Sequence, residues 1–251
     1  MRIISRLDIK GSNLIKGVQL EGLRVVGNPS EFVKKYYLDG IDEIILMDAV
    51  ASLYGRNNLF ELVSQITKEI FIPITLGGGI RSVSDAEAAL KSGADKIALN
   101  SAAIHRPSLI TDIAEFAGSQ AVVLSVEAKR VGLSQWEAYY NNGRERSGKE
   151  VLDWINEGVR RGAGEVLLTS IDNEGTRKGL DIELCSYLDR MSKVPLIVSG
   201  GVGKPEHIVE VSRNPNVDAV ALADLLHYCH ATIEDVKSFL IDTGVNVRPT
   251  R

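Results

Sequence analysis

The 251-residue sequence has very little cysteine. Cys185 and Cys229 are its only two, too few and too isolated for a disulfide framework or a spaced thiolate metal site. It has no apolar run near the roughly 20 residues that a membrane-spanning helix needs. Its opening stretch MRIISRLDIK carries a charge every few residues, unlike a signal peptide. It has no excess of positive charge either. Lys and Arg number 29 against 33 Asp and Glu, so there is no electrostatic footprint for nucleic acid or an anionic membrane. The cluster HYCH (227–230) has no acid or cysteine set to complete a metal site. The expectation is a cytoplasmic protein with no metal, no cofactor, no nucleic acid and no membrane among its partners.

Hydrophobic residues make up 44% of the chain, enough for a sizeable core. They fall into eight short runs: RIISRLDI, EIILMDAV, IPITLGGG, DKIALNS, AVVLSVEA, EVLLTSI, PLIVSGG and DAVALAD. Rich in Val, Ile and Leu, these read as buried parallel strands. Between them lie stretches with helical spacing, such as PSEFVKKYYLDG, LFELVSQITKEI, VSDAEAALKSGA and GKEVLDWINEGVRRGA, with glycine near several of their ends. Strand–helix alternation implies a parallel sheet, and eight units in about 250 residues match a (βα)8 barrel. A doubly wound open sheet is the alternative. With no long linker or low-complexity segment, one domain over 1–251 is expected.

The chain also resembles itself. GIDEIILMDA (40–49) aligns with GAGEVLLTSI (162–171), TLGGGI (75–80) with VSGGVG (198–203), and ADKIALNSA (94–102) with VDAVALADL (217–225). The offset stays near about 120 residues throughout, and the same offset relates Asp8 in SRLDIKG to Glu127 in SVEAKRV. Two half-barrels are expected, about 1–118 and 119–251.

In such a barrel the chemistry sits at the C-terminal ends of the strands. Glycine there lets backbone N–H groups approach an anion. One candidate anion site is Gly79 with Asn100 and Ser101, and its counterpart is Gly200 and Gly201 with Ala223. A ligand with a phosphate at each end would fit both. The halves are unequal, however. Asp224 follows Ala223, and an acid there repels a dianion unless it turns away or meets a cation.

LDIKGSNLIKG, LMDAVAS, TLGGGIRS, ADKIALNSAA, RPSLITDIA, FAGSQAVVLSVEAKRV, RGAGEVLLTSIDNEGT, SGGVGKPEH and the terminal GVNVR together resemble the cyclase subunit of imidazole glycerol phosphate synthase, over essentially the whole chain. The resemblance implies a (βα)8 barrel that receives ammonia from a glutaminase partner. It implies conversion of a ribulosyl aminoimidazole carboxamide bisphosphate to imidazole glycerol phosphate and the aminoimidazole carboxamide ribotide. The family's two catalytic acids fall on Asp8 and Glu127, its ring of charges for ammonia entry on Arg2, Glu43, Lys96 and Glu165, and substrate contacts on Lys16 and Ser170. A pairing of Asp8 with Lys16 is the purely structural alternative for that acid. Asp48 and Asp172, at the ends of strands two and six, are further polar candidates.

Three positions depart from the family. Glu127 stands where aspartate is usual, Arg6 where a small or apolar residue is usual, and Asp224 where serine is usual. A buried guanidinium needs an acid, so Arg6 is expected to pair with Asp8 or Glu127. All three touch the substrate end, while the ring of charges matches. That pattern, with DAVASLYGRNNL and RLDIKG, is similar to diverged members that serve bacterial cell-surface sugar pathways, where ammonia builds an amidino group. The second hypothesis is therefore a chain that docks a glutaminase and passes ammonia to another acceptor. QWEAYYNNGRER (135–146) is expected to form a hairpin turning at Asn142–Gly143, as a lid or a local cap.

Overall fold

All eight apolar runs become strands, and the strands close on themselves. The computed structural model describes residues 1–51, 59–191 and 193–250. Its strands are β1 (Arg2–Lys10), β2 (Asn13–Val18), β3 (Glu21–Gly27), β4 (Glu43–Asp48), β5 (Ile74–Gly77), β6 (Lys96–Leu99), β7 (Val122–Gly132), β8 (Gln135–Tyr140), β9 (Glu145–Glu150), β10 (Glu165–Ser170), β11 (Leu196–Ser199) and β12 (Ala219–Leu222). The parallel ring runs β1-β4-β5-β6-β7-β10-β11-β12 and returns from β12 to β1, with Arg2 opposite Ala219 and Ser5 opposite Leu222. An open sheet would leave two edges, so that closing pair decides for the (βα)8 barrel. Residues 52–58, within the DAVASLYGRNNL stretch, lie outside the described residues.

The helices that cover the barrel begin where the sequence supplies caps. Asn28 accepts from Ser30 N, with Pro29 opening the helix Pro29–Leu38. Ser82 accepts from Asp85 N at the start of Val83–Lys91. Thr232 and Asp235 cap each other's backbone N–H groups before Ile233–Asp242. Each device satisfies N–H groups that a helix leaves unpaired in its first turn.

Alternation along each strand divides the core in two. Outward residues such as Ile3, Leu7, Ile44, Leu46 and Val220 pack under the helices. Inward residues form a separate plug of Ile4, Ile45, Met47, Ala98, Val123, Leu167, Ile197, Ala219 and Ala221. β5 contributes Thr75 to this interior instead, and its buried hydroxyl has no hydrogen-bond partner among the described residues. On β1 the inward residues therefore read Arg2, Ile4, Arg6, Asp8 from the N-terminal end of the barrel to its mouth.

Two hairpins rise from that mouth. β2 and β3 follow β1, and β8 and β9 follow β7. The second hairpin was expected from Asn142–Gly143, which the structure places in the turn between β8 and β9. The first was not expected. Its two-residue turn is Gln19–Leu20, with φ of 52° and 63°, a left-handed conformation usually signalled by Asn or Gly. Burial of Leu20 against Tyr139 and Ile171 holds it there. The hairpins also meet directly, Asn142 Nδ2 donating to Leu20 O at 3.3 Å.

Candidate active site

Charges close the N-terminal end of the barrel. Arg2 donates to Glu43 and to Glu165, each at 2.7 Å, and Lys96 reaches the same two acids at 3.3 and 2.7 Å. The four residues open four different strands, and period-two geometry turns all of them inward. Each acid meets both cations, so the ring closes without a break. Burial disfavours the Arg2 cation, but Glu43 and Glu165 outweigh it and push its pKa up. Above the ring sits the apolar plug.

Arg6 is the next layer. Its side chain is buried, with Nε 3.0 Å from Asp8 Oδ1, and Nη1 donates to Thr169 Oγ1 at 2.7 Å. Thr169 is on β10, which is not a neighbour of β1 in the ring, so the guanidinium crosses the lumen. Of its two expected partners Arg6 takes Asp8. Burial opposes its charge, and the carboxylates of Asp8, Glu174 and Glu127 overcome that.

Asp8 and Glu127 occupy opposite walls. β7 stands four places from β1 whichever way the ring is counted. Both side chains are nearly buried. Gly143 N, from the tip of the β8–β9 hairpin, donates to Glu127 Oε2 at 2.7 Å. Burial pushes the Glu127 carboxyl up to about 7, only partly offset by Arg6 and by the bond from Gly143. Asp8 is in an ion pair and, among the described residues, Glu127 is not, which gives two carboxyl groups in unlike environments.

Lys16 does not meet Asp8. It pairs with Glu174, from the loop after β10, and both are buried. Ser170 donates to Asp181 Oδ2 at 3.3 Å. Asp48 accepts from Val50 N, and burial raises its pKa. Asp172 accepts from Arg130 N at 2.8 Å. His227 is a core residue, its ring between Tyr36 Oη at 2.8 Å and Arg6 O at 3.0 Å, and burial pushes it down to about 4.

The two candidate anion sites differ in room. Gly79, Asn100 and Ser101 line a cavity of about 80 Å³ that also takes in Arg6, Asp48, Arg81 and Glu127. Ser101 Oγ accepts from Asn141 N at 3.0 Å, so the hairpin tip caps this half. Gly200, Gly201 and Ala223 line a cavity of about 10 Å³ with Glu174 and Asp224. Asp224 lies 2.9 Å from Arg177 Nε. Glu174, Arg177 and Thr169 were not singled out from the sequence, and Gly143 was read only as a turn residue. Only the polar run IDNEGTR after the sixth barrel strand hinted at the first two.

Residues 2–232 match the histidine biosynthesis protein family. An imidazole glycerol phosphate synthase subunit HisF from Legionella pneumophila is 61% identical over 206 residues, covering 82% of this chain and 97% of the relative. The proteins of that name from Solibacter usitatus and Pyrococcus furiosus are each 42% identical, over 99% and 98% of this chain and 98% of themselves. The chain belongs to the HisF family. In this HisF barrel the closed ring and the two acids, Asp8 and Glu127, lie toward opposite ends of one lumen, with Arg6 between them. Among the described residues no helix is long and apolar enough to cross a membrane.

Proposed function

We propose that this chain works as a HisF-type synthase subunit. Ammonia from a glutaminase partner enters through the ring of Arg2, Glu43, Lys96 and Glu165. It is used at the mouth by Asp8 and Glu127 to convert a ribulosyl aminoimidazole carboxamide bisphosphate to imidazole glycerol phosphate and the aminoimidazole carboxamide ribotide. The observation that carries this reading is the opposed placement of a closed charged ring and two unlike carboxyl groups along one lumen. The reaction adds ammonia to a carbonyl-derived carbon, expels a leaving group and closes a ring. Each step moves a proton, so one group must accept while another donates. Asp8, in its ion pair, suits the acceptor, and Glu127, near half-protonated at neutral pH, suits the donor. The partner docks on the N-terminal face around the ring. Two free cysteines fit a cytoplasmic setting.

One barrel domain over 1–251, built from halves of about 1–118 and 119–251, is part of the same reading. It is supported by the hairpin that follows the first strand of each half and by the acid each half presents.

A second reading, delivery of ammonia to an acceptor other than the bisphosphate, is favoured by Asp224, which brings a carboxylate and its Arg177 partner into the Gly200–Gly201 half. Turnover of the bisphosphate by the purified chain with ammonium salt at alkaline pH, next to Asp8→Asn, separates the two. Turnover that Asp8→Asn abolishes supports the cyclase. No turnover, with glutaminase binding intact, overturns it.

A further inference from the structure

The Gly200–Gly201 turn is occupied by the protein's own chain. A Cβ on Gly201 would lie 2.1 Å from Gly179 O, and one on Gly203 would lie 2.5 Å from Arg177 O. Gly179 N donates to Gly201 O at 2.8 Å, and Asn173 Nδ2 donates to Gly179 O at 2.8 Å. The glycines here admit the 173–179 segment, and the space that remains beside it, about 10 Å³, is bounded in part by the Glu174 and Asp224 side chains. That is room for about one water molecule.

Charge acts in the same direction. The residual space is lined by two carboxylates, Glu174 and Asp224. Their cations are already engaged: Lys16 with Glu174, and Arg177 with Asp224, while Arg177 Nη1 also lies 2.8 Å from His230 Nε2. A dianion entering this half meets two acids and no unengaged cation among the residues that line it. The half around Gly79 is different. Its cavity is larger and is lined by Arg81, which has no ion pair among the described residues, as well as by Arg6, which is paired with Asp8. Its acids, Asp48 and Glu127, are both shifted by burial toward their neutral forms.

We propose that the mouth binds a ligand through one phosphate, in the Gly79–Asn100 half, and that Asp224 with Arg177 shuts the Gly200–Gly201 half against a second. The acceptor class is then a singly phosphorylated molecule whose other end is uncharged and hydrogen-bonding. This rests on the second reading above, that the mouth serves an acceptor other than the bisphosphate. In a cyclase it makes Asp224 a determinant that weakens the bisphosphate.

The test counts phosphates rather than turnovers, so it stands apart from the cyclase assay. Inorganic phosphate is titrated into the full chain by calorimetry, for the wild type, Asn100→Asp, Asp224→Ser and the isosteric Asp224→Asn. Ribulose 5-phosphate and ribulose 1,5-bisphosphate are compared on the same proteins. The expected result is one phosphate per wild-type chain, lost in Asn100→Asp, and a second gained in at least one Asp224 variant. The two sugars are expected to bind the wild type within about threefold, with the bisphosphate gaining at least about tenfold in that Asp224 variant. Two phosphates of similar affinity in the wild type overturn the proposal, as does no phosphate at all. A site count unchanged in both Asp224 variants, with folding intact by circular dichroism, overturns the role of Asp224.

Discussion

Arg6 Nε lies 3.0 Å from Asp8 Oδ1 while the same guanidinium reaches across the lumen to Thr169. The acid at the mouth is thus joined to a cation placed between the charged ring and the mouth. Both groups are nearly buried, so neither is easily lost alone. Asp8→Asn is expected to cost about 3 kcal/mol in urea unfolding, because it leaves a buried guanidinium short of its partner. It is expected to lower turnover by about 100-fold or more. A variant of unchanged stability would show that the pair is not held as described.

Glu127 and His227 pull stability in opposite directions with pH. Glu127 is raised to about 7 in the folded state, so its contribution is present below its unfolded pKa, near 4.5, and is lost as pH rises toward 7. His227 is depressed to about 4, so its contribution is present above its unfolded pKa, near 6.5, and is lost as pH falls toward 4. Between about pH 4.5 and 6.5 the two slopes largely cancel. Glu127→Gln is expected to expose a stability that rises with pH across that window, and His227→Gln one that falls, by about 2–3 kcal/mol each. Chemical denaturation at a series of pH values reads both slopes. Parallel curves for the two variants would contradict the assignment.

Gly143 sits at φ 73°, and a Cβ there would lie 2.9 Å from Leu20 Cδ1. Gly143→Ala is expected to destabilise the hairpin tip by about 1 kcal/mol. It also weakens the bond that Gly143 N makes to the Glu127 carboxylate. Losing a donor to the charged form raises the pKa. If Glu127 donates a proton, wild-type activity falls as pH rises through about 7. In Gly143→Ala that descending limb is expected to shift upward. A limb that stays in place would separate the hairpin from the titration.

Lys96 bridges Glu43 and Glu165, and Arg2 bridges the same two acids from the other side. Lys96→Ala opens one side of the ring. Ammonium-driven turnover is expected to change less than about twofold, while product formed per glutamine hydrolysed in the complex falls severalfold. Unchanged coupling would mean that the ring is structural only.

The barrel itself was legible in the chain. Eight Val-, Ile- and Leu-rich runs, separated by capped helical stretches, admit few topologies, because alternation and capping act within a few residues of sequence. The same period-two rule puts Arg6 on the face of its strand that carries Asp8. The pairings were legible only in part: Arg6 was expected beside Asp8 or Glu127, while the partners of Lys16 and Asp224 were not read. Asp8 faces Arg6 rather than Lys16, Lys16 takes Glu174, and Asp224 meets Arg177. Barrel closure and loop packing decide those partners by bringing together groups from distant parts of the chain, and no local propensity records them. The turn at Gln19–Leu20 shows the same limit, since its left-handed residues carry no turn signal and are held by the burial of Leu20. Sequence determined which residues can face the lumen. Tertiary structure decided which of them meet, because the strength of an ion pair or a close contact depends on distance in space, not on separation along the chain.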